Sequence, residues 1–340
     1  MAKFDIVTIG GVVKDHTLFI NEARIIPTPQ NLTAQKLIAF EYGEKFRTKE
    51  AYLTLGGGAA NSAVSLSRLG LKTAIITRVG KDEALNNIIK KLKKEKINTK
   101  YIQLDAKHLT GFSFIISPNK KERDRTIFHY IGCGELMAFD PKKLKNLKTN
   151  WFYLSSLAGD KWQKNLKEIF SFAKKQGIKI FWNPGNQQIQ VGRKILASQL
   201  RQANILSLNK DEAIELVLSG IKLGRKNPNH LNRPVYLLNI LREWGPRIVI
   251  ITEGRKGAWA YDGKKIYRQK IISSKAIDKT GVGDCFGSSF LAGFINENGN
   301  IARALKWAII NSASVVSKVG AQNGLLTKKE LKNKLIVRKI

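Results

Sequence analysis

Asp278-Lys279-Thr280-Gly281-Val282-Gly283-Asp284-Cys285-Phe286-Gly287 is the stretch on which the reading of this 340-residue chain turns. It follows an extended segment and opens an apolar helix. Two glycines ahead of a helix let successive backbone N–H groups face one point, and the helix dipole adds positive potential there. Gly281, Val282 and Gly283 thus make an anion site suited to phosphoryl oxygens. Asp284, in the first turn, is placed to take a proton from a bound hydroxyl. Alignment, charge neutralisation and a base are what phosphoryl transfer asks of a protein. The same spacing also suits a purely structural, glycine-rich helix start, and the glycines alone do not separate the two readings. No Gly-Lys-Ser/Thr occurs, which excludes a Walker A loop, and Phe286 stands where a dinucleotide fingerprint needs its third glycine.

A second cluster, Gly56-Gly57-Gly58-Ala59-Ala60-Asn61-Ser62-Ala63, offers a backbone that a ligand can approach closely. Asn61 brings both a donor and an acceptor, as sugar hydroxyls require. The structural alternative is tight packing at a helix start with Asn61 as its cap.

Around these motifs, short β-branched runs alternate with amphipathic segments. Phe4 to Ile9, Thr73 to Val79, Trp151 to Leu154, Ile178 to Trp182, Asn204 to Leu208 and Arg247 to Thr252 read as buried strands. Helical spacing runs through Asn61 to Leu69, Asp82 to Lys96, Lys161 to Lys175, Leu237 to Trp244, Gly283 to Asn296 and Ile301 to Lys318. Gly257 to Tyr261 and Ile266 to Lys270 predict a hairpin about Asp262-Gly263. Such alternation implies a mostly parallel sheet with helices on both faces, in one domain over residues 1–340. Two stretches depart from it, about 12–55 and 110–132. Thr110 to Ile115 and Arg125 to Tyr130 alternate with period two across Pro118-Asn119-Lys120, predicting a small antiparallel lid sheet. Phe112, Phe114, Phe128 and Tyr130 are read as lid core, or as a stacking platform for a nucleobase.

Hydrophobic residues make up 43% of the chain, enough to build a core rather than a disordered segment. The two cysteines, Cys133 and Cys285, have no CxxC spacing and the four histidines no ligand spacing, which argues against a disulfide framework or a zinc site. Met1-Ala2-Lys3 runs straight into the first strand and no apolar stretch is long enough to span a bilayer, so a cytoplasmic location is expected. The net charge of +33 suits either a polyanionic partner or lysines spread over solvated helix faces. No basic stretch is interleaved with stacking aromatics, which favours the second, and no specific nucleic acid or membrane partner is expected.

Taken together, the two motifs resemble the ribokinase-like (PfkB) family of sugar and nucleoside kinases, over nearly the whole chain. Gly57 to Gly70 is similar to that family's first signature and Asp278 to Phe286 to its second, with Lys279 and Val282 in place of Thr and Ala. The resemblance implies a three-layer α/β/α sandwich with a small β lid. It implies a kinase that phosphorylates a hydroxyl of a small sugar or sugar acid from ATP with Mg²⁺, the alternative acceptor being a nucleoside. A non-catalytic nucleic-acid-binding protein on this fold is the remote alternative. Asp284 then falls on the catalytic base, and Gly281 to Gly283 on the anion hole. Asp15, Gly57, Gly58 and Asn61 fall on the acceptor site. Asn209 and Glu212 fall near Mg²⁺-bound phosphates, with Glu212 reaching the metal indirectly. Thr252, Gly254, Gly257 and Asn311 fall on the nucleotide site. Asp278 and Thr280 fall where many members bind a monovalent cation, K⁺ being the expected one, and family members often pair through the lid. Three departures stand out. Leu85 replaces a common glycine, Ser155-Ser156 replaces an acceptor-binding Glu of some ribose kinases, and Asn21 to Leu55 is longer than in compact members.

Overall fold

Phe4 to Ile9 forms strand β1, and Ile6 to Ile9 have no access to solvent. Such a run survives only between two covered faces, so β1 places itself at the middle of a sheet. The computed structural model describes residues 3–28, 30, 36–48, 50–117, 125–222 and 228–337. After β1 come β2 (Val13–Phe19), β3 (Arg24–Pro27), β4 (Lys36–Ala39) and β5 (Ala51–Gly56). Then follow α1 (Gly58–Arg68), β6 (Thr73–Gly80), α2 (Ala84–Lys94), β7 (Ile102–Asp105), β8 (Thr110–Ser117) and β9 (Thr126–Gly132). The second half holds β10 (Thr149–Leu154), α3 (Trp162–Gln176), β11 (Lys179–Trp182), α4 (Asn186–Gln190), α5 (Gly192–Gln202), β12 (Ile205–Asn209) and α6 (Lys210–Leu218). The chain continues through α7 (Pro234–Glu243), β13 (Ile248–Thr252), β14 (Ala258–Tyr261), β15 (Ile266–Gln269), α8 (Val282–Asn296), α9 (Ile301–Val315) and α10 (Lys328–Val337).

Nine strands form the main sheet in the order β15-β14-β13-β12-β11-β10-β1-β6-β7. All neighbours are parallel except the β13-β14-β15 edge, where the expected hairpin closes the sheet. Alternate side chains of each strand go to opposite layers. Val7, Phe152, Leu154, Trp182 and Leu206 pack under α3, α5, α6 and α7. Ile6, Tyr153, Phe181 and Ile250 pack under α8 and α9. Helix α3 shows why the pattern was readable: Trp162, Leu166, Ile169, Phe170 and Ala173 recur at helical spacing and all are buried, and Gly177 ends the helix in the left-handed conformation.

The topology positions the site. From β1 the chain crosses to β6 on one side and later returns to β10 on the other, so β1 and β10 flank a switch point. In open α/β sheets the crevice at such a point, off the carboxyl ends of the strands, is where ligands bind.

The lid is a four-stranded sheet, β5-β2-β8-β9. It corrects one expectation: β2 and β8 run parallel, and only the β2-β5 and β8-β9 pairs are antiparallel. The reason is connectivity, because β8 reaches β2 through the α1-β6-α2-β7 crossover rather than a hairpin. Strands β3 and β4 form a separate two-stranded ribbon, and the predicted turn at Pro118-Asn119-Lys120 lies outside the described residues. The lid aromatics are corrected too. Ser113 and Ile115 are buried while Phe114 is 41% exposed, so Phe112, Phe114, Phe128 and Tyr130 occupy the face opposite Asp15 and Ser113. Phe112 contacts Phe114 and Tyr130, with ring centroids 5.7 and 5.1 Å apart, and the four are neither a buried core nor a platform facing the crevice. Leu85 sits in the first turn of α2 with no left-handed backbone, and packs on the Val79–Ile88 cluster.

Candidate active site

Helices α1 and α8 lie side by side, with Ser65 and Ser289 hydroxyls 3.5 Å apart, and both present their N-termini to the crevice. Gly281 caps α8 in the left-handed region, φ 70°, and its carbonyl accepts the first helical bond from the Cys285 amide. The amides of Gly283 and Asp284 meet no acceptor among the described residues. That leaves two N–H groups and the dipole at one place, as an anion site requires. A methyl on Gly283 would meet no protein atom within 4 Å, so the space before it is open.

Asp284 is held from α1: Asn61 Nδ2 donates to Asp284 Oδ2 at 2.9 Å. Burial pushes the Asp284 carboxyl above its ordinary range, and the Asn61 bond opposes that push. Asn61 is buried, and its Oδ1 accepts from Gln322 Nε2 at 3.0 Å. The amide is therefore oriented from both sides. The cap of α1 is Gly57, not Asn61, and the Asn61 side chain bonds the Asp284 carboxyl instead. Gly58 lies against the same carboxyl: a methyl there would sit 3.3 Å from Asp284 Oδ1 and 2.9 Å from Ser155 Oγ. Ser155 is buried and bonds the Ile9 carbonyl, whereas Ser156 is exposed.

The segment Gly320-Ala321-Gln322 touches every part of this arrangement. Gly320 N–H donates to Asp278 Oδ2, Ala321 packs on Gly281, and Gln322 holds Asn61. Asp278 Oδ1 accepts from both the amide and the hydroxyl of Thr280, which shapes the turn into Gly281. Sequence reasoning missed Gln322, because nothing local marks a glutamine whose partner is 261 residues away.

From the lid, Asp15 approaches Asp278 and Asp284. It is 5% exposed, and Gly56 leaves room for its carboxyl, since a methyl there would overlap Asp15 Oδ2. Burial raises its pKa to about 6, the Ser113 hydroxyl bond opposes the rise, and the nearby carboxylates of Asp278 and Asp284 add to it. Asp15, Asn61, Gly57, Gly58 and Asp284 are thus brought together.

The second group lies along the carboxyl ends of β12 and β13, where Asn209 and Thr252 are paired in register. Asn209 caps α6, its Oδ1 accepting the Glu212 amide while Glu212 Oε2 accepts the Asn209 amide. Burial raises the Glu212 pKa. Gly254 opens the short turn after Thr252, and Gly257 starts the β14 hairpin. Asn311 differs from the expectation of a side chain facing a nucleotide. It is fully buried, and its amide bonds Ser289 Oγ and the Leu326 amide, so it braces the 320–326 segment. Asn183, at the end of β11, was overlooked; its Nδ2 bonds the Ser207 carbonyl and ties β11 to β12 at this rim. Among the described residues no three His, Cys, Asp or Glu side chains cluster as a metal cage, and no helix is long and apolar enough to cross a membrane.

Comparison with known proteins agrees with this fold. Residues 31–328 match the family model described as pfkB family carbohydrate kinase. The chain is 30% identical over 286 residues to a ribokinase of Staphylococcus aureus, covering 82% of this chain and 88% of that one. It is 26% identical to a 5-dehydro-2-deoxygluconokinase of Clostridium botulinum over 97% of this chain and 92% of that one. Its fold superposes on the nucleoside kinase of Methanocaldococcus jannaschii, an archaeal member of the ribokinase family, with TM-score 0.73 at 21% identity, covering 99% and 100% of the two chains.

Proposed function

Because this chain belongs to the PfkB family of carbohydrate kinases, we propose that it moves the terminal phosphoryl group of ATP onto a hydroxyl of a small sugar or sugar acid, with Asp284 as the base. The observation that carries the reading is the Asp284 carboxyl, held by Asn61 in the first turn of α8 beside two unengaged amides. The acceptor hydroxyl gives its proton to Asp284 as its oxygen bonds phosphorus and ADP departs. Gly283 and Asp284 amides, with the turn through Gly281 and Val282, hold the oxygens of the group in transit. Asp15 orients further hydroxyls. A carboxyl raised by burial is a better base than an ordinary aspartate, and the Asn61 bond opposes the rise by favouring the ionised form.

Mg²⁺ neutralises phosphate charge when bound. The donor set fits a metal carried by the nucleotide: Glu212 is a half-buried carboxylate, with Asp211 and Glu215 near it and Oε2 already accepting the Asn209 amide, suited to contact through water. Asp278 is 8% exposed and compensated by the neutral donors of Thr280 and Gly320, which suits a monovalent cation beside it. Sugars are favoured over nucleosides because the lid aromatics face away from Asp15. That same outer face carries Leu53, Phe114, Phe128 and Tyr130, exposed by 76%, 41%, 57% and 45%. Pairing of two copies through it would cover an apolar patch larger than single scattered residues.

The test is ADP release from ATP, Mg²⁺ and K⁺ against a panel of sugars, sugar acids and nucleosides. Asp284→Asn should lower kcat by roughly 10²–10⁴ while the protein stays folded. Near-normal turnover by that variant would remove Asp284 from the role, and undiminished turnover with K⁺ replaced by a tetraalkylammonium ion would remove the cation.

A further inference from the structure

Among the described residues, the inner face of the lid carries one cation that the reaction above does not use. In β8 and β9, Ser113 pairs with His129 and Ile115 with Ile127, and Ser113 also pairs with Asp15 of β2. These residues share the face turned to the crevice. Ile116 pairs with Thr126, so Arg125, one residue earlier, stands opposite Ser117 on that same face. Its Nε is buried with no hydrogen-bond partner. Its guanidinium lies near enough to Asp15 to favour that carboxylate, yet no ion pair joins the two among the described residues. Asp15 is itself buried, and its carboxyl already accepts from the Ser113 hydroxyl.

A buried, unsatisfied cationic donor is costly unless something completes it. A planar guanidinium is the group best matched to a carboxylate or a phosphate, through paired hydrogen bonds. Position adds to the chemistry. Arg125 is four positions before His129, whose strand row holds Asp15, which is roughly 13 Å along an extended strand. Strand β2 leaves the crevice at Val13, so the Asp15 row is nearer Asp284 and the Arg125 end is farther from it. A long side chain reaching back from that end defines the distal limit of the acceptor site.

We propose that Arg125 is the anion-recognising end of the acceptor site. The acceptor is a sugar-sized polyol carrying a carboxylate or phosphate ester at the end opposite the hydroxyl that Asp284 deprotonates. This placement rests on the kinase reading for where the reacting hydroxyl lies.

The experiment is calorimetric titration of the full chain, with Mg²⁺ and a non-hydrolysable ATP analogue present. The probes are glucose, gluconate and glucose 1-phosphate, and the proteins are wild type, Arg125→Gln and Arg125→Lys. One of the two anions should bind roughly 10–100-fold tighter than glucose, the range expected for hydrogen bonds to a charged group. Which anion is held tighter identifies carboxylate or phosphate. Arg125→Gln should abolish the preference while glucose and analogue affinities hold, and Arg125→Lys should keep part of it. Equal binding of the three probes by the wild type would overturn the proposal, as would a glutamine variant that weakens glucose as much as the anions. ADP release measured on the same samples separates the two readings. A charge preference without any turnover would strike the kinase assignment and leave the anion site standing, whereas turnover of glucose with no preference would do the reverse.

Discussion

Gly283→Ala separates the phosphate cradle from the scaffold that holds it. Gly283 has helical backbone in the first turn of α8, is exposed, and has no protein atom within 4 Å of the position its methyl would take. The folded protein should therefore tolerate alanine and gain up to about 1 kcal/mol from the better helix former. The methyl would nevertheless stand in the open space before the free amides, where phosphoryl oxygens must come close. Losing one such donor costs about 10²–10³ in kcat in comparable sites. Gly281→Ala is the converse. Its φ of 70° costs an L-residue about 1–2 kcal/mol, and its methyl would overlap Ala321 Cβ, forcing the 320–322 segment to move. Steady-state ADP release and chemical denaturation on both variants give the answer. Alanine at 283 should lower turnover at unchanged or higher stability, and alanine at 281 should lower both. Wild-type turnover by Gly283→Ala would refute the anion-hole role, and unchanged stability of Gly281→Ala would refute the packing argument.

Three further outcomes are expected. Asn61→Ala removes a donor to the ionised base, so the Asp284 pKa should rise further and the acid limb of the kcat–pH profile should move to higher pH. Gln322→Leu should move the same limb less, and an unmoved limb in both variants would detach the relay from the base. Asp15 has a folded-state pKa of about 6 against 3.8 when unperturbed, so its ionisation disfavours the fold as pH rises between those values. Asp15→Asn should consequently gain as much as about 3 kcal/mol at pH 7.5 relative to pH 3.5, at the expense of acceptor affinity. A stability difference from wild type that is independent of pH would contradict the raised pKa. Phe128→Glu should turn a lid-paired dimer into monomers by light scattering, with unchanged mass counting against pairing through that face.

How far the chain was legible depended on the range of the physics involved. The turn into α8 could be read because its signal is local: left-handed Gly281, Gly283 two residues on and Asp284 in the first turn follow from backbone geometry within one short stretch. The same holds for α3 and for the β14-β15 hairpin, where side-chain period and turn residues act within one element. Helices α4 and α5 went unread because Gly192 interrupts the period between them. The parallel β2-β8 pairing, the outward turn of the lid aromatics and the core burial of Asn311 all depend on which element arrives beside which. The Gln322–Asn61–Asp284 relay is the sharpest case. Its bonds span 261 and 223 residues, and no periodicity or propensity acts over that distance. The sequence by itself determined the layered α/β architecture, the glycine turn into α8 and the placing of Asp284 in that helix's first turn. Tertiary structure alone decided that Asn61 bonds the Asp284 carboxyl, because an amide is directed by whatever the packing of α1 against α8 and the 320–326 segment places beside it.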